Sequence, residues 1–202
     1  MRKLILQMQM SVDGYVGQAG REPSWQLWDW GDKCPWDEKL QMEFNRFFDK
    51  ADTILLSRKM VEGGYIDHWS ETAKRHPRAA TFAFAQCVMA ARKILFSETL
   101  KESPRPETEL AEQPLVETIH DLKKQAGKNI VAFGGAGFAS SLIANDLVDE
   151  FHFYTNPVAL HGGLSIFAKK GKHCDLQLID AVPYGCGMVV AKYARHERVR
   201  SD

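Results

Sequence analysis

The alternation of apolar and polar segments along the chain predicts an α/β domain. Apolar, strand-like runs occupy residues 3–10, 52–57, 93–97, 129–133 and 148–158. Between most of them, apolar residues recur every three or four positions, which is typical of helices that bury one face. Alternating strands and helices predict a central, mostly parallel sheet with helices on both faces.

The most regular helical pattern lies in the first third of the chain. There a single helix face carries Leu40, Phe44, Phe47, Phe48 and Ala51. Asp37 stands just before this face as a candidate N-cap. A second helix is predicted to begin at Pro114, and residues 79–91 and 138–145 are also predicted to be helical.

The remaining segments carry turn and loop signals. Residues 21–35 and the proline-containing stretch 102–113 are predicted loops. Residues 174–182 and 187–195 are two strand-like runs separated by a short glycine-containing turn, which predicts a C-terminal antiparallel hairpin. With no long linker and no repeat, the chain is interpreted as one domain over residues 1–202.

Composition narrows the classes of function. The 202 residues include 26 basic and 26 acidic side chains, and a formal net charge of zero gives no general attraction to nucleic acid. The four cysteines form no C-x-x-C pair, which favours free thiols and no metal site. No apolar run is long enough to cross a membrane or resembles a signal peptide, so we expect a soluble, cytoplasmic protein.

A strand-to-helix junction contains three glycines, Gly134, Gly135 and Gly137. Glycines at such a junction let the backbone approach a pyrophosphate at the helix N-terminus. The alternative is a tight turn that binds nothing. The dinucleotide fingerprint is incomplete, because the next predicted strand ends at Thr155 and Asn156 rather than at an acidic residue.

Polar groups follow the carboxyl ends of the other predicted strands, where open α/β sheets bind ligands. They include Asp13, the adjacent cations Arg58 and Lys59, and Ser97. An arginine and a lysine beside a glycine turn can hold a phosphate, although such a pair is also an ordinary solvated surface feature.

These segments, in this order, resemble the dihydrofolate reductase-like family. The resemblance rests on SVDGYVG after the first strand, ILLSRKM at the second, KILFSETL at the third and VAFGGAGFASSLIANDLVDEF at the fourth, with NPVALHGGLSIF beyond. More closely, the chain is similar to stand-alone relatives of the C-terminal reductase domain of riboflavin biosynthesis. The resemblance implies the three-layer fold of that family, a homodimer, and NADPH bound across the strand ends.

The resemblance also implies a set of cofactor-binding residues. Residues near the pyrophosphate would be Gly134, Gly135, Ala136, Gly137 and Phe138. Residues near the adenosine phosphates and the adenine would be Arg58, Lys59, Met60 and Ser97, while Val16 and Gly17 would belong to the loop over the nicotinamide.

Three positions depart from the family pattern. Met60 stands where a hydroxyl donor is usual, and Glu98 stands where a basic residue is usual. A carboxylate near a 2′-phosphate would repel it, so NADH is a possible cofactor as well as NADPH. Phe133 occupies the place of a substrate-contacting glutamate, which weakens the specifically riboflavin interpretation.

Candidates on the substrate side are few. Asp13 is the only candidate for a catalytic acid, with stabilisation of the Asp-Gly turn as its simpler role. Trp25 and Trp28, with Trp30 and Trp36, crowd one predicted loop, where they either stack on a planar heterocycle or cover the sheet. His68 and Trp69 follow a glycine pair and are candidates to border the mouth of the same site. His68 is the one histidine considered as an acid, and it is interpreted as a solvated loop histidine.

Two functions from different classes follow. The first is an NADPH-dependent reductase that transfers a hydride to a small heterocycle, either pterin-like or like 5-amino-6-(5-phosphoribosylamino)uracil. The alternative is a non-enzymatic nucleotide-binding module that has kept the fold.

Overall fold

A single eight-stranded sheet organises the protein. The computed structural model describes residues 1–18, 20, 26, 34–171 and 173–196. The strands are β1 (Leu4–Ser11), β2 (Ala51–Ser57), β3 (Arg92–Phe96), β4 (Glu109–Leu110), β5 (Asn129–Ala132), β6 (Glu150–Asn156), β7 (Leu176–Pro183) and β8 (Val189–Arg195). The α-helices are α1 (Glu38–Phe47), α2 (Arg58–Glu62), α3 (Tyr65–Arg75), α4 (Ala83–Ala90), α5 (Leu115–Lys124) and α6 (Ala136–Ala144).

The sheet is parallel except at its C-terminal end. Its strand order is β4-β3-β2-β5-β1-β6-β8-β7. All pairs from β4 to β6 are parallel, and β8 runs antiparallel to both β6 and β7. The predicted mostly parallel sheet and the predicted C-terminal antiparallel hairpin are therefore confirmed.

Helices cover the two faces of the sheet over separate hydrophobic clusters. On one face, Leu40 of α1, Trp69 of α3 and Phe84 of α4 pack together. On the other face, Ile119 of α5 and Leu142 of α6 pack against the even-numbered residues of β1. Since side chains alternate along a strand, the odd-numbered residues of β1 face the α1, α3 and α4 layer.

The first helix begins as predicted. The Asp37 carboxylate accepts a hydrogen bond from the Leu40 amide at 2.9 Å, which is N-cap geometry. The α-helix ends at Phe47, however, and a 3-10 turn over Phe48–Lys50 leads into β2 at Ala51. The prediction that Phe48 and Ala51 continue the helix was wrong.

Two segments that were predicted as loops contain regular secondary structure. His68 lies on α3, a helix that begins after Gly64, and not on a loop. Gly64 itself has φ of +83°, a left-handed conformation that glycine adopts without strain. The predicted loop at 102–113 contains the two-residue strand β4, and Pro114 is the N-cap of α5 rather than its first helical residue.

Candidate functional site

A cleft opens where β1 and β5 part. The two strands pair only from Leu4 to Leu6 on β1 and from Ile130 to Ala132 on β5. Beyond this point β5 ends and β1 continues as far as Ser11, paired with β6 alone. The space between them has an empty volume of about 800 Å³, including its open mouth. A split of this kind at the carboxyl end of a parallel sheet is a usual position for a ligand.

Six of the fifteen described residues that line the cleft are aromatic, and they come from separate parts of the chain. Its described lining residues are Gln7, Met8, Gln9, Val16, Gln26, Trp36, Phe44, Met60, Tyr65, Trp69, Phe84, Phe133, Gly134, Gly135 and Ala136. We call Trp36, Phe44, Tyr65, Trp69, Phe84 and Phe133 the aromatic wall. These rings hold one another in place: the Phe44 and Phe84 centroids are 4.5 Å apart and those of Trp69 and Phe84 are 4.7 Å apart. A rigid aromatic surface of this kind suits a planar ligand.

The glycine turn forms one lip of the cleft and continues into α6. A Cβ atom at Gly134 would lie 2.7 Å from the Phe138 ring, so packing requires glycine there. A Cβ atom at Gly135 or Gly137 would meet nothing within 4 Å, and neither residue has a positive φ. Neither packing nor backbone conformation therefore demands glycine at these two positions. Gly135 and Gly137 each leave open space on the outside of the turn.

The N-terminus of α6 has no side-chain cap. Gly135 is its N-cap residue and supplies no side-chain acceptor, whereas Asp37 caps α1. The first amide groups of a helix lack intrahelical partners and carry the positive end of the helix dipole. Together with the open space at Gly135 and Gly137, this end of α6 is fitted to an anion such as a pyrophosphate.

The predicted cationic pair lies beside the ends of β2 and β3. The Arg58 guanidinium donates to Glu62 at 2.6 Å and to the Thr99 hydroxyl at 2.7 Å. Ser97 accepts from the Thr99 and Leu100 amides at 3.2 and 3.1 Å, which orders the turn after β3. Arg58 and Lys59 are exposed at the start of α2, and Glu98 is exposed in the turn.

Two loops pack against each other over the end of β1. Val16 donates its amide to the Leu164 carbonyl at 2.9 Å, and the Leu164 amide donates to the Gly17 carbonyl at 2.8 Å. Gly163 packs so closely that a Cβ atom there would lie 2.3 Å from the Gly17 carbonyl oxygen. We call residues 12–17 and 158–164 the paired loops.

Asp13 helps to hold the paired loops together. Its carboxylate accepts from the Ser11 hydroxyl at 2.6 Å and from the His161 amide at 2.7 Å. The Ser11 hydrogen bond, followed by the backbone amides of Leu160 and His161, lowers the pKa of Asp13. A low pKa does not suit a proton donor, and Asp13 is outside the described lining of the cleft.

Five of the predicted cofactor-binding residues line the cleft, and the others are outside its described lining. Val16, Met60, Gly134, Gly135 and Ala136 are among its lining residues. Phe138 packs on Phe96, with ring centroids 5.4 Å apart. Trp25, Trp28 and Trp30 lie outside the described residues.

Sequence reasoning missed three members of the aromatic wall and one buried polar residue. Phe44, Tyr65 and Phe84 were predicted as core or left unassigned, because a single sequence does not show which elements meet. Gln7 had a detectable signal: an amide in the middle of a largely apolar strand, where burial is costly.

The electrostatics of the described lining are largely neutral. Burial raises the pKa of the Tyr65 phenol, so that this group holds its proton at ordinary pH. Among the described residues, no group of three or more histidine, cysteine or acidic side chains is arranged to bind a metal. The described part of the chain also contains no helix with the length and hydropathy of a membrane span.

Comparisons with known proteins agree with this geometry. The uncharacterized protein YyaP of Bacillus subtilis (strain 168) is 26% identical over 193 residues, covering 95% of this chain and 94% of YyaP. A pyrimidine reductase-like protein from Corynebacterium diphtheriae superposes with a TM-score of 0.65 at 12% identity, covering 97% of this chain and 92% of the other. Dihydrofolate reductase from Enterococcus faecalis has a TM-score of 0.60 at 15% identity, covering 96% and 97%.

The solved structures confirm the dihydrofolate reductase-like fold. At 12% and 15% identity, their sequences are too distant from this chain to show more than the fold. The family model of the RibD C-terminal domain matches residues 2–190, nearly the whole chain. The protein therefore belongs to the RibD C-terminal domain family.

Proposed function

We propose that the protein is an NADPH-dependent reductase that transfers a hydride to a small planar heterocycle. The observation that carries this proposal is the glycine turn at the lip of the cleft. Gly135 and Gly137 leave open space that the protein does not need for its own packing, at an uncapped helix N-terminus. The site adjoins a cleft with an aromatic wall against which a flat ring can stack.

The residues fit the parts of a reduced nicotinamide dinucleotide. The glycine turn would hold the pyrophosphate, and Arg58 and Lys59 would face the adenosine phosphates. Val16, which lines the cleft, would bound the nicotinamide end of the cofactor. Met60 also lines the cleft and would lie with Arg58 and Lys59 near the adenosine phosphates. When bound, the cofactor supplies the hydride, while the chain orients the rings and keeps water away from them.

The substrate would lie against the aromatic wall. The Corynebacterium diphtheriae relative is named a pyrimidine reductase-like protein, and the Enterococcus faecalis enzyme is a dihydrofolate reductase in complex with NADP(H). Pyrimidines and pteridines are both planar heterocycles with ring carbonyl or amino groups. Phe133 contributes an apolar ring to the wall, which favours stacking over ion pairing at that position.

Titration with NADPH and NADH tests the cofactor part of the proposal. We expect saturable NADPH binding, and we expect Arg58→Ala to weaken it roughly fivefold to tenfold by removing a charge-assisted contact. Arg75→Ala is the matched control, because Arg75 makes an i,i+4 ion pair with Glu71 as Arg58 does with Glu62. Cofactor fluorescence gives both affinities.

The outcomes separate the two functional classes. Oxidation of NADPH with a pteridine or pyrimidine acceptor supports the reductase, whereas saturable binding without turnover supports a nucleotide-binding module. Tighter binding of NADH than NADPH points to Glu98 as the selector. A wild-type protein that binds neither cofactor contradicts the proposal.

We further propose that the protein is a homodimer joined through β7. This strand forms an edge of the sheet, and its Leu178 and Ile179 side chains are 54% and 52% exposed. An apolar edge strand is a ready surface for pairing with a second chain. Sedimentation analysis should give twice the chain mass for the wild type and the monomer mass for Ile179→Lys. A monomeric wild type would contradict this assignment.

A further inference from the structure

The first strand carries a polar residue where its neighbours are apolar. Leu4, Leu6 and Met8 point into the α5 and α6 cluster. Gln7 points to the opposite face, which is the face of the aromatic wall, and it lines the cleft. An amide in this position needs a hydrogen-bonding reason, since an apolar residue would bury more favourably.

Within the described protein, the amide nitrogen of Gln7 has no such reason. The residue is only 6% exposed, and its Nε2 atom has no hydrogen-bond partner among the described residues. Buried side-chain amides are nearly always satisfied, because an unpaired donor loses its hydrogen bonds to water and gains none. A buried donor on a residue that lines a ligand cleft can find its partner in a group of the ligand or in a buried water.

The neighbouring strand does not supply that partner. His152 of β6 lies directly beside Gln7 in the register of the sheet. Its Nε2 atom is 3.3 Å from the Glu150 carboxylate, and its Nδ1 atom has no partner among the described residues either. Two buried polar atoms thus lie on adjacent strands without satisfying each other.

A second glutamine of the cleft illustrates the contrast. The Gln26 amide nitrogen donates to the Val16 carbonyl at 2.7 Å, and it lies 3.4 Å from the Gln9 carbonyl oxygen. Gln26 therefore connects β1 to the paired loops, which is a structural role. The Nε2 atom of Gln7 makes no comparable connection.

We propose that Gln7 determines the specificity of the cleft by donating a hydrogen bond from its amide nitrogen to a carbonyl oxygen on a planar ring held by the aromatic wall. This inference rests on the proposed function and names the substrate class: a heterocycle with a ring carbonyl. The same carbonyl chemistry occurs in a lactam substrate and in the carboxamide of nicotinamide, and the experiment distinguishes these two sources.

A matched pair of pteridines tests the substrate arm. Lumazine has carbonyl groups where 2,4-diaminopteridine has amino groups. The pteridine skeleton is the same, and N1 and N3 carry hydrogens in lumazine and none in the diamine. We expect the wild type to bind lumazine roughly tenfold more tightly, because the amino compound presents a donor to a donor. Gln7→Met keeps the side-chain length without the amide and should abolish the preference. Gln7→Glu replaces the donor by an acceptor and should reverse it.

The control is Gln113→Met, at an exposed position before α5. It should leave the lumazine preference within about twofold of the wild type. Thermal unfolding of each variant shows that it is folded. A lumazine preference that persists in Gln7→Met, with unchanged NADPH affinity, overturns the proposal and leaves Gln7 as a residue satisfied by buried water.

The cofactor arm uses NADPH and adenosine 2′,5′-bisphosphate, which lacks the nicotinamide. If Gln7→Met weakens NADPH binding roughly fivefold or more and leaves the bisphosphate unaffected, the carbonyl belongs to the nicotinamide carboxamide. A wild type that binds no NADPH contradicts the proposed reductase. The pteridine preference still decides the role of Gln7 in that case, so the two failures are distinguishable.

Discussion

Gly135→Asp should weaken NADPH binding roughly a hundredfold or more while leaving the protein folded. The new side chain has room, because a Cβ atom at this position meets nothing within 4 Å. Its carboxylate would occupy the open space proposed for the pyrophosphate, and like charges in contact cost several kcal/mol. Aspartate is also a favourable N-cap residue, so α6 should gain stability rather than lose it.

Isothermal titration with NADPH, together with thermal unfolding, measures both effects. Gln113→Asp is the matched control, since it adds the same charge near the N-terminus of α5, away from the glycine turn. The control should bind NADPH like the wild type. Equal affinity in Gly135→Asp and the wild type would reduce the glycines to a tight turn and remove the main support for the proposed function.

Gly163→Ala should lower the free energy of unfolding by about 1–3 kcal/mol, the usual cost of forcing extra atoms into a packed site. The added methyl group would lie 2.3 Å from the Gly17 carbonyl oxygen and 3.2 Å from Tyr15, so the paired loops must separate. Because Val16 belongs to one of these loops and lines the cleft, NADPH affinity should fall as well.

Gly17→Ala is the control from the other side of the same contact. There the nearest atom to the new Cβ is a Leu164 methyl group at 3.9 Å, which is an ordinary distance. Urea unfolding should place this variant within about 0.5 kcal/mol of the wild type. Equal destabilisation by both exchanges would mean that glycine is needed for flexibility in these loops and not for close approach at Gly163.

The sequence predicted those parts of the fold that local signals determine. Asp37 caps α1 because the capping group and the helix face are adjacent in the chain. The hairpin of β7 and β8 was recognised from two apolar runs and a turn, and the glycine turn from three residues. The carboxyl ends of parallel strands share one edge, so strand order alone placed several candidates near one another.

The cleft could not be predicted because its wall is assembled from distant segments. Phe44, Tyr65 and Phe84 come from three helices and read as core residues until their neighbours are known. Helix α3 was missed although Tyr65, Ile66, Trp69 and Ala73 share its buried face. Most of these residues have modest helix propensity, and tertiary packing supplies what propensity lacks.

The short pairing of β1 with β5 also has a mechanical consequence. Three residue pairs join these strands, whereas seven join β1 to β6, so the line between β1 and β5 is a seam between two halves of the sheet. Local opening should begin there, and hydrogen exchange at amides along the seam should be faster than in the centre of either half. A ligand in the cleft would contact residues of β1 on one side of the seam and residues that follow β5 on the other. Its binding should therefore stabilise the closed seam and slow hydrogen exchange there.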